Sequence, residues 1–347
     1  MKSKKYYELY NKIKSDIYLG VYKAGEKLPS KRNMASLQGV SQITVLTAYE
    51  MLEAEGFIAP KERSGYFVLK VTPPNVHYKH IDKLSEETPA ISEHFEYSLW
   101  FKTVRKVISE KDKELFIKAP SEGCAVLRNA IANYLVRYRD IAVSPKNVII
   151  GSGAEQLYEN VVKLLGRDKV IGVENPCYSQ IIKVYEEEGA KTLALEMGEN
   201  GIKSAELKKP FQILHVTPYS SYPSGVTATL EKRREYALWA KESGGYIVED
   251  DYKSEFFTDK YHYKTLKAIS PENVIYINTF SQSLSPSMRV GYMILPDNLL
   301  SIYKERLGGF SCSVPVLEQY CLAEFINSGS FERHLNREKR KIKRGEA

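Results

Sequence analysis

Apolar positions in the first 70 residues recur at helical spacing. Leu9, Ile13 and Ile17 fall four apart, which predicts a helix with one apolar face, and Gly20 ends it. Ser30 is a good N-cap for a short helix carrying Met34, Ala35 and Leu37. Gly39 permits a tight turn. Ser41 caps a third helix whose inner face is Val45, Ala48, Tyr49 and Leu52, with Gly56 as its stop. Residues 57–60 and 66–69 are β-rich runs around the polar turn 61–65, a hairpin pattern. Two short helices across a Gly turn predict a helix–turn–helix.

The pattern then changes twice. Residues 71–96 read as a linker, because the run 71–75 contains Pro73 and Pro74, and His77, His80, Glu86 and Glu87 are polar. With no further ligand type beside His77 and His80, a solvated loop is expected there and no metal site. From residue 97 onward, short apolar strands at 147–150, 170–173, 212–216, 246–249, 274–278 and 289–295 alternate with helical stretches. That alternation predicts an α/β body with a mainly parallel sheet covered on both faces. Ligands in such folds sit at the C-terminal ends of the strands. Polar clusters lie just past those ends, at 151–153, 218–225, 250–252 and 279–283.

A length of 347 residues allows two or three domains. With 43% hydrophobic and 27% charged residues the chain is globular rather than disordered. No run of about 18 apolar residues offers a membrane span. The basic start, Met1 to Lys5, is followed by no apolar signal core, so a cytoplasmic protein is expected. Cys124, Cys177, Cys312 and Cys321 form no Cys-x-x-Cys pair, which argues against a disulfide framework and against a zinc ribbon. The net charge of +7 is uneven: residues 1–70 carry 12 Lys/Arg against 7 Asp/Glu, and residues 331–347 carry 7 against 3. A basic head on a slightly acidic body suits a polyanion partner, the alternative being a solvated basic surface. The tail run Arg337, Lys339, Arg340, Lys341, Lys343 and Arg344 reads as the solvated face of a helix.

At residues 6–70 the head resembles the winged helix–turn–helix domain of the GntR family of bacterial regulators. The resemblance rests on Leu28-Pro29-Ser30-Lys31-Arg32, Gly39-Val40-Ser41-Gln42-Ile43-Thr44-Val45, Leu52-Glu53-Ala54-Glu55-Gly56 and Ser64-Gly65-Tyr66-Phe67-Val68, in that order. It implies double-stranded DNA as partner, with Ser41, Gln42 and Thr44 reaching base edges in the major groove. Lys31 and Arg32 would hold phosphates, and the wing at Arg63 and Gly65 would touch the minor groove. The family usually has Arg where this chain has Gln42, and Gln suits adenine better than guanine.

The body resembles the fold-type I pyridoxal-phosphate enzymes of the aspartate aminotransferase class. With the head attached, the chain resembles the MocR-type regulators. The resemblance implies a phosphate cradle at Gly153, Ala154 and Glu155, a ring-stacking Tyr178, and Asp250 paired with the pyridine nitrogen. Tyr252 would bond the ring hydroxyl, and Thr279, Ser281 and Arg289 would complete the phosphate site. Three departures matter. Gln282 stands where the lysine that forms a Schiff base with the cofactor is expected, and an amide nitrogen is neither nucleophilic nor basic. Ser220 and Ser221 replace the expected His and Gln. The small C-terminal domain of the family is expected to be missing beyond Ala347.

The domain layout expected is therefore a winged helix–turn–helix at 1–70, a linker at 71–96 and an aminotransferase-like body at 97–347. The function expected is a DNA-binding, homodimeric regulator. Its body would bind pyridoxal phosphate or an amino-acid-like effector, non-covalently and weakly, without catalysis and without a metal. The alternatives are a plain repressor whose body binds no cofactor, and a working aminotransferase.

Overall fold

The computed structural model describes residues 5–62, 64–70, 95–252, 254–256 and 264–344. The chain divides into two compact units, residues 1–87 and 88–347. In the first, α1 (Lys5–Tyr18), α2 (Lys31–Gln38) and α3 (Gln42–Ala54) precede a hairpin of β1 (Ile58–Lys61) and β2 (Gly65–Val68). Both expected caps form: Ser30 Oγ accepts the Asn33 N–H at 3.2 Å and Ser41 Oγ accepts the Thr44 N–H at 3.1 Å. Gly39, at φ 62°, ends α2 in the left-handed region, which turns the chain sharply into α3. The core packs Leu9 and Ile13 of α1 against Met34, Val45, Tyr49 and Leu52. Tyr49 donates its hydroxyl to the Pro29 carbonyl at 2.8 Å, tying α3 to the approach to α2. The expected short helix is present, but Leu37 is 69% exposed because the inner face of so short a helix is filled by Met34 and Ala35. Ile58 pairs with Val68 in antiparallel register. Arg63 and residues 71–94, which include most of the expected linker, lie outside the described residues.

In the second unit α4 (Tyr97–Lys111) and α5 (Ala125–Arg139) precede β3 (Val148–Gly151). There follow α6 (Ala154–Leu165), β4 (Val170–Asn175), α7 (Ser179–Glu187), β5 (Lys191–Gly198), β6 (Gly201–Ile202) and β7 (Ile213–Val216). Next come α8 (Leu230–Ser243), β8 (Tyr246–Asp250), α9 (Leu266–Ile269), β9 (Val274–Thr279), α10 (Phe280–Ser283) and β10 (Gly291–Ile294). The unit closes with α11 (Leu300–Leu307), α12 (Val316–Asn327) and α13 (Ser330–Arg344). The sheet order is β3-β10-β9-β8-β7-β4-β5-β6. Pairing is parallel from β9 through β8, β7 and β4 to β5. Strand β10 runs antiparallel to both β3 and β9, and β6 runs antiparallel to β5. All six expected strands form, within one or two residues at their ends. The pair β5 and β6 extends one edge of the sheet beyond that expectation.

Alternation along the strands builds three layers. Val148, Ile150, Tyr276, Tyr292 and Ile294 face a cluster with Leu127, Leu135, Leu322 and Phe331 of α5, α12 and α13. Their neighbours Ile149, Ile275, Ile277 and Met293 face Leu157, Val161 and Ile181 of α6 and α7. Helix α13 departs from a purely solvated face. Phe331, His334, Leu335 and Glu338 are buried, and Arg337 pairs with Glu96. Of the basic run, Arg340, Lys343 and Arg344 are exposed, while Arg337, Lys339 and Lys341 are half-buried.

Among the described residues, Arg233 is a wholly internal cation. The Arg233 side chain of α8 is 0% exposed and lies with its guanidinium carbon 4.0 Å from the Tyr219 ring centroid. Its Nε donates to the Ala228 carbonyl at 3.0 Å, its Nη2 to Pro218 at 2.9 Å and its Nη1 to Lys264 at 3.2 Å. Arg233 thus holds the loop after β7 in place beneath the C-terminal edge of the sheet. Arg233→Ala is expected to lower the stability of the second unit by roughly 3 kcal/mol or more, because each abandoned buried carbonyl carries its own desolvation penalty. A thermal or urea melt of the variant against the parent measures it.

Candidate functional site

At the C-terminal edge of the sheet a cavity of about 440 Å³ opens where β3, β7, β8 and β9 end. Of the residues singled out in the sequence, Ala154, Glu155, Tyr178, Asp250, Tyr252, Thr279, Ser281 and Arg289 line it, as does Gln282. Gly153 stands at the cap of α6 with φ 96°, and a Cβ there would lie 3.1 Å from Arg289 Nη2. Glycine therefore lets both the strained turn and the guanidinium approach. Ala154 and Glu155 line the cavity from the first turn of α6, where a helix leaves N–H groups without intrahelical partners and the positive end of its dipole favours an anion. Arg289 stands beside it, with Nη2 2.6 Å from Glu155 Oε2. Both side chains are about half exposed, so that pair is weak and can be displaced. Thr279 Oγ1 and Ser281 Oγ lie 3.0 Å apart on the same side.

Asp250 closes the opposite end. It is 5% exposed, and its Oδ2 accepts the Tyr158 hydroxyl, while Oδ1 has no hydrogen-bond partner among the described residues. Burial pushes its carboxyl up to about 7, against the lowering effect of Tyr158. His215 Nε2 approaches at 3.9 Å, but burial pushes that imidazole down to about 3, so it stands there neutral. Its Nδ1 shares a hydrogen with the Tyr185 hydroxyl at 2.7 Å. An orphaned carboxyl oxygen on a cavity wall, opposite an anion cradle, fits a protonated pyridine ring carrying a phosphate. Tyr178 is 49% exposed at the rim and meets Tyr222 edge to face at 6.2 Å. Gln282 is exposed on α10.

Sequence reasoning missed Tyr158 and Thr217, which line the cavity, and Glu174, which meets Ser221 behind it; Tyr222, also in the lining, falls within the polar cluster at 218–225. Tyr158 carried one signal, since it falls one helical turn after Ala154 on α6. Ser221, one of the two serines standing in place of the expected His and Gln, donates its hydroxyl to Glu174 Oε2 at 2.5 Å and is 1% exposed. Burial pushes Glu174 up to about 8, so it is a neutral acid at pH 7.

On the first unit, Lys31 and Arg32 lie exposed in the first turn of α2 with no ion pair among the described residues. Gln42 is exposed at the start of α3, and Gly65 opens β2. Ser41 and Thr44 are also at that end of α3, but their hydroxyls meet each other at 2.9 Å.

Comparison with known proteins agrees with both halves. Residues 5–68 match the model of bacterial regulatory proteins of the gntR family, and residues 79–345 match that of aminotransferase class I and II. The uncharacterized HTH-type transcriptional regulator YdeL of Bacillus subtilis is 32% identical, over 96% of this chain and 75% of the relative. The HTH-type pyridoxine biosynthesis transcriptional regulator PdxR of Corynebacterium glutamicum is 26% identical, over 96% and 75%. The probable rhizopine catabolism regulatory protein MocR of Rhizobium meliloti is 27% identical, over 96% and 74%. Among solved structures, an archaeal alanine:glyoxylate aminotransferase superposes with a TM-score of 0.65 at 23% identity, covering 70% of this chain and 63% of its own. The α-aminoadipate aminotransferase LysN of Thermus thermophilus, complexed with N-(5'-phosphopyridoxyl)-L-leucine, superposes with a TM-score of 0.63 at 26% identity, covering 72% and 65%. The chain thus spans a little under two thirds of these aminotransferases.

The neutral Glu174 makes the body's stability depend on pH in a stated direction. Its carboxyl holds a proton in the fold up to about 8 and loses it in the unfolded chain near the ordinary carboxylate value, so its contribution falls as pH rises between those points. Glu174→Gln keeps the neutral shape and removes the titration. The variant is expected to gain melting temperature relative to the parent on going from pH 6 to pH 8.5, measured by calorimetry at both pH values.

Proposed function

The chain belongs to the GntR-family transcriptional regulators whose helix–turn–helix head is joined to an aminotransferase class I and II body, and on that footing we propose that it binds operator DNA as a homodimer while its body senses a phosphopyridoxyl or amino-acid-like effector without turning it over. The observation that carries this is the pairing of an anion cradle with an unpartnered buried carboxyl oxygen in a cavity whose α10 wall offers Gln282. The α6 N-terminus, Thr279, Ser281 and Arg289 would hold the phosphate of pyridoxal phosphate, Asp250 the ring nitrogen, Tyr178 the ring face and Tyr252 the ring hydroxyl. When bound, that group supplies an electron-poor ring and an aldehyde that responds to amino groups. The Gln282 amide can neither attach to the aldehyde nor accept a proton, so binding is reversible. Glu155 competes with the phosphate for Arg289. The name of the relative PdxR refers to pyridoxine biosynthesis, and the LysN structure holds a phosphopyridoxyl compound, which supports a ligand of that class.

For DNA, the unpaired Lys31 and Arg32 would neutralise phosphates, which carry no sequence information. Gel shifts on DNA upstream of the chain's own gene are expected to show affinity falling steeply with salt, each phosphate contact releasing counterions. Arg32→Ala is expected to weaken binding alike on every sequence and to reduce the salt slope by about 1. Loss of binding on all sequences in the parent would overturn the regulator reading.

Calorimetry with pyridoxal phosphate is expected to show reversible binding that borohydride does not fix. Glu155→Gln is expected to tighten it roughly two- to fivefold by freeing Arg289, and Gln282→Lys to give a covalent, visibly absorbing adduct. No heat in the parent or in Glu155→Gln would leave the plain repressor. Turnover of an amino acid by the parent would make it an enzyme.

A further inference from the structure

Resting on the regulator reading, we infer that the operator half-site contains an A·T pair read by Gln42 with a thymine C5-methyl group, in that pair or the adjoining one, packed on Ile43. The starting point is what the first turn of α3 leaves available. Ser41 Oγ accepts the Thr44 N–H at 3.1 Å and meets Thr44 Oγ1 at 2.9 Å, so both hydroxyls serve the cap. Thr47 Oγ1 donates back to the Ile43 carbonyl at 3.1 Å. Gln42 and Ile43 remain, adjacent and exposed.

Ile43 is 76% exposed, among the most exposed large apolar side chains of the chain. A lone exposed isoleucine is ordinary on a surface. Here it sits beside Gln42, at the N-terminal end of the helix that enters the groove, where each side chain has a base edge within reach. Its β-branched side chain is stiff, so little freedom is lost when a methyl group packs on it. The helix itself decides the chemistry further. Residues 42–54 contain no Lys or Arg, and hold Glu50 and Glu53. The bidentate Arg or Lys contact to O6 and N7 by which guanine is most commonly read is therefore absent from α3. Glutamine is matched to the adenine N6 and N7 pair, and an apolar side chain to the thymine methyl. Charge attraction to the backbone comes from Lys31 and Arg32 on the neighbouring helix, so recognition and affinity are divided between α3 and α2.

The test starts from a randomised duplex library, enriched with the full-length protein. Each thymine of the enriched duplex is then replaced singly by deoxyuridine, which removes only the C5-methyl group. At one thymine per half-site the parent is expected to bind about fourfold more weakly, the effect of exposing one buried methyl-sized group. Ile43→Ala is expected to bind the unmodified duplex about as weakly and to be indifferent to the deoxyuridine, while Ile43→Val keeps the sensitivity. Because Ile43 lies outside the core, the variants' circular dichroism is expected to match the parent's. Gln42→Arg is expected to move the preference at the neighbouring pair from adenine to guanine by roughly fivefold or more. Unchanged binding with deoxyuridine at every position, or an Ile43→Ala variant that remains sensitive, overturns the inference and leaves the regulator reading standing. A library with no enriched sequence overturns the regulator reading itself, and this inference with it.

Discussion

Three consecutive carboxyl groups, Glu249, Asp250 and Asp251, are buried at the end of β8, and the second unit is organised around them. An isolated buried carboxylate is too costly to keep, so each needs a donor or a proton. Strand alternation separates them. Glu249 accepts the N–H groups of Leu266 and Lys267 at 2.8 Å each, which anchors the start of α9. Asp251 takes Arg139 at 2.5 Å and the Tyr276 hydroxyl at 2.6 Å, which locks α5 onto β9. Asp250, facing the other way, receives only the Tyr158 hydroxyl among the described residues. The two flanking acids brace the scaffold, and the central one is left with an unused oxygen on the cavity wall. The open cavity wall is thus the remainder of a problem that the fold has solved on either side.

Arginines in this chain divide by the same accounting of partners. In the second unit Arg139 is committed to Asp251, Arg233 to buried carbonyls and Arg289 to Glu155. Only the last of these is exposed enough to change partners. In the first unit Lys31 and Arg32 have no counter-charge among the described residues. A net charge count weighs all of these alike. Burial and pairing decide which of them an incoming polyanion or a phosphate can recruit.

The sequence made the architecture legible where local physics and tertiary demand agree. Ser30 and Ser41 act as caps because a hydroxyl satisfies an N–H that any helix start leaves open. The interior strands show themselves as apolar runs because they are covered on both faces. β5 escaped because it lies next to the edge, and Thr192, Leu193, Met197 and Glu196 along it are only partly covered or exposed. Clusters at strand ends pointed to most of the cavity lining, since α/β topology forces those ends together. Tyr158, Glu174 and the tie from Ser221 to Glu174 stayed hidden because they come from contacts across 92 and 47 residues of chain. Periodicity has no access to such pairs. The Leu37 side chain shows the reverse error: its helical spacing points inward, yet the core is already full.

What the cavity contains also bears on what it can do to a ligand. Moving a proton at a bound amino acid requires a group that is basic and close. His215 is held neutral, near 3, and its Nδ1 is engaged by Tyr185. Lys267 is tied to the carbonyls of Pro271 and Val274, at 2.8 and 2.7 Å, on the far side of Glu249. Asp250 already accepts the Tyr158 hydroxyl. On α10, where a mobile amine would do the work, Gln282 presents an amide. On the function proposed above, such a wall suits a ligand's residence rather than its conversion. Residence is also what a regulator needs, because a ligand shifts an equilibrium only by binding one state more tightly than another, and a ligand consumed on each visit would report its turnover rather than its concentration.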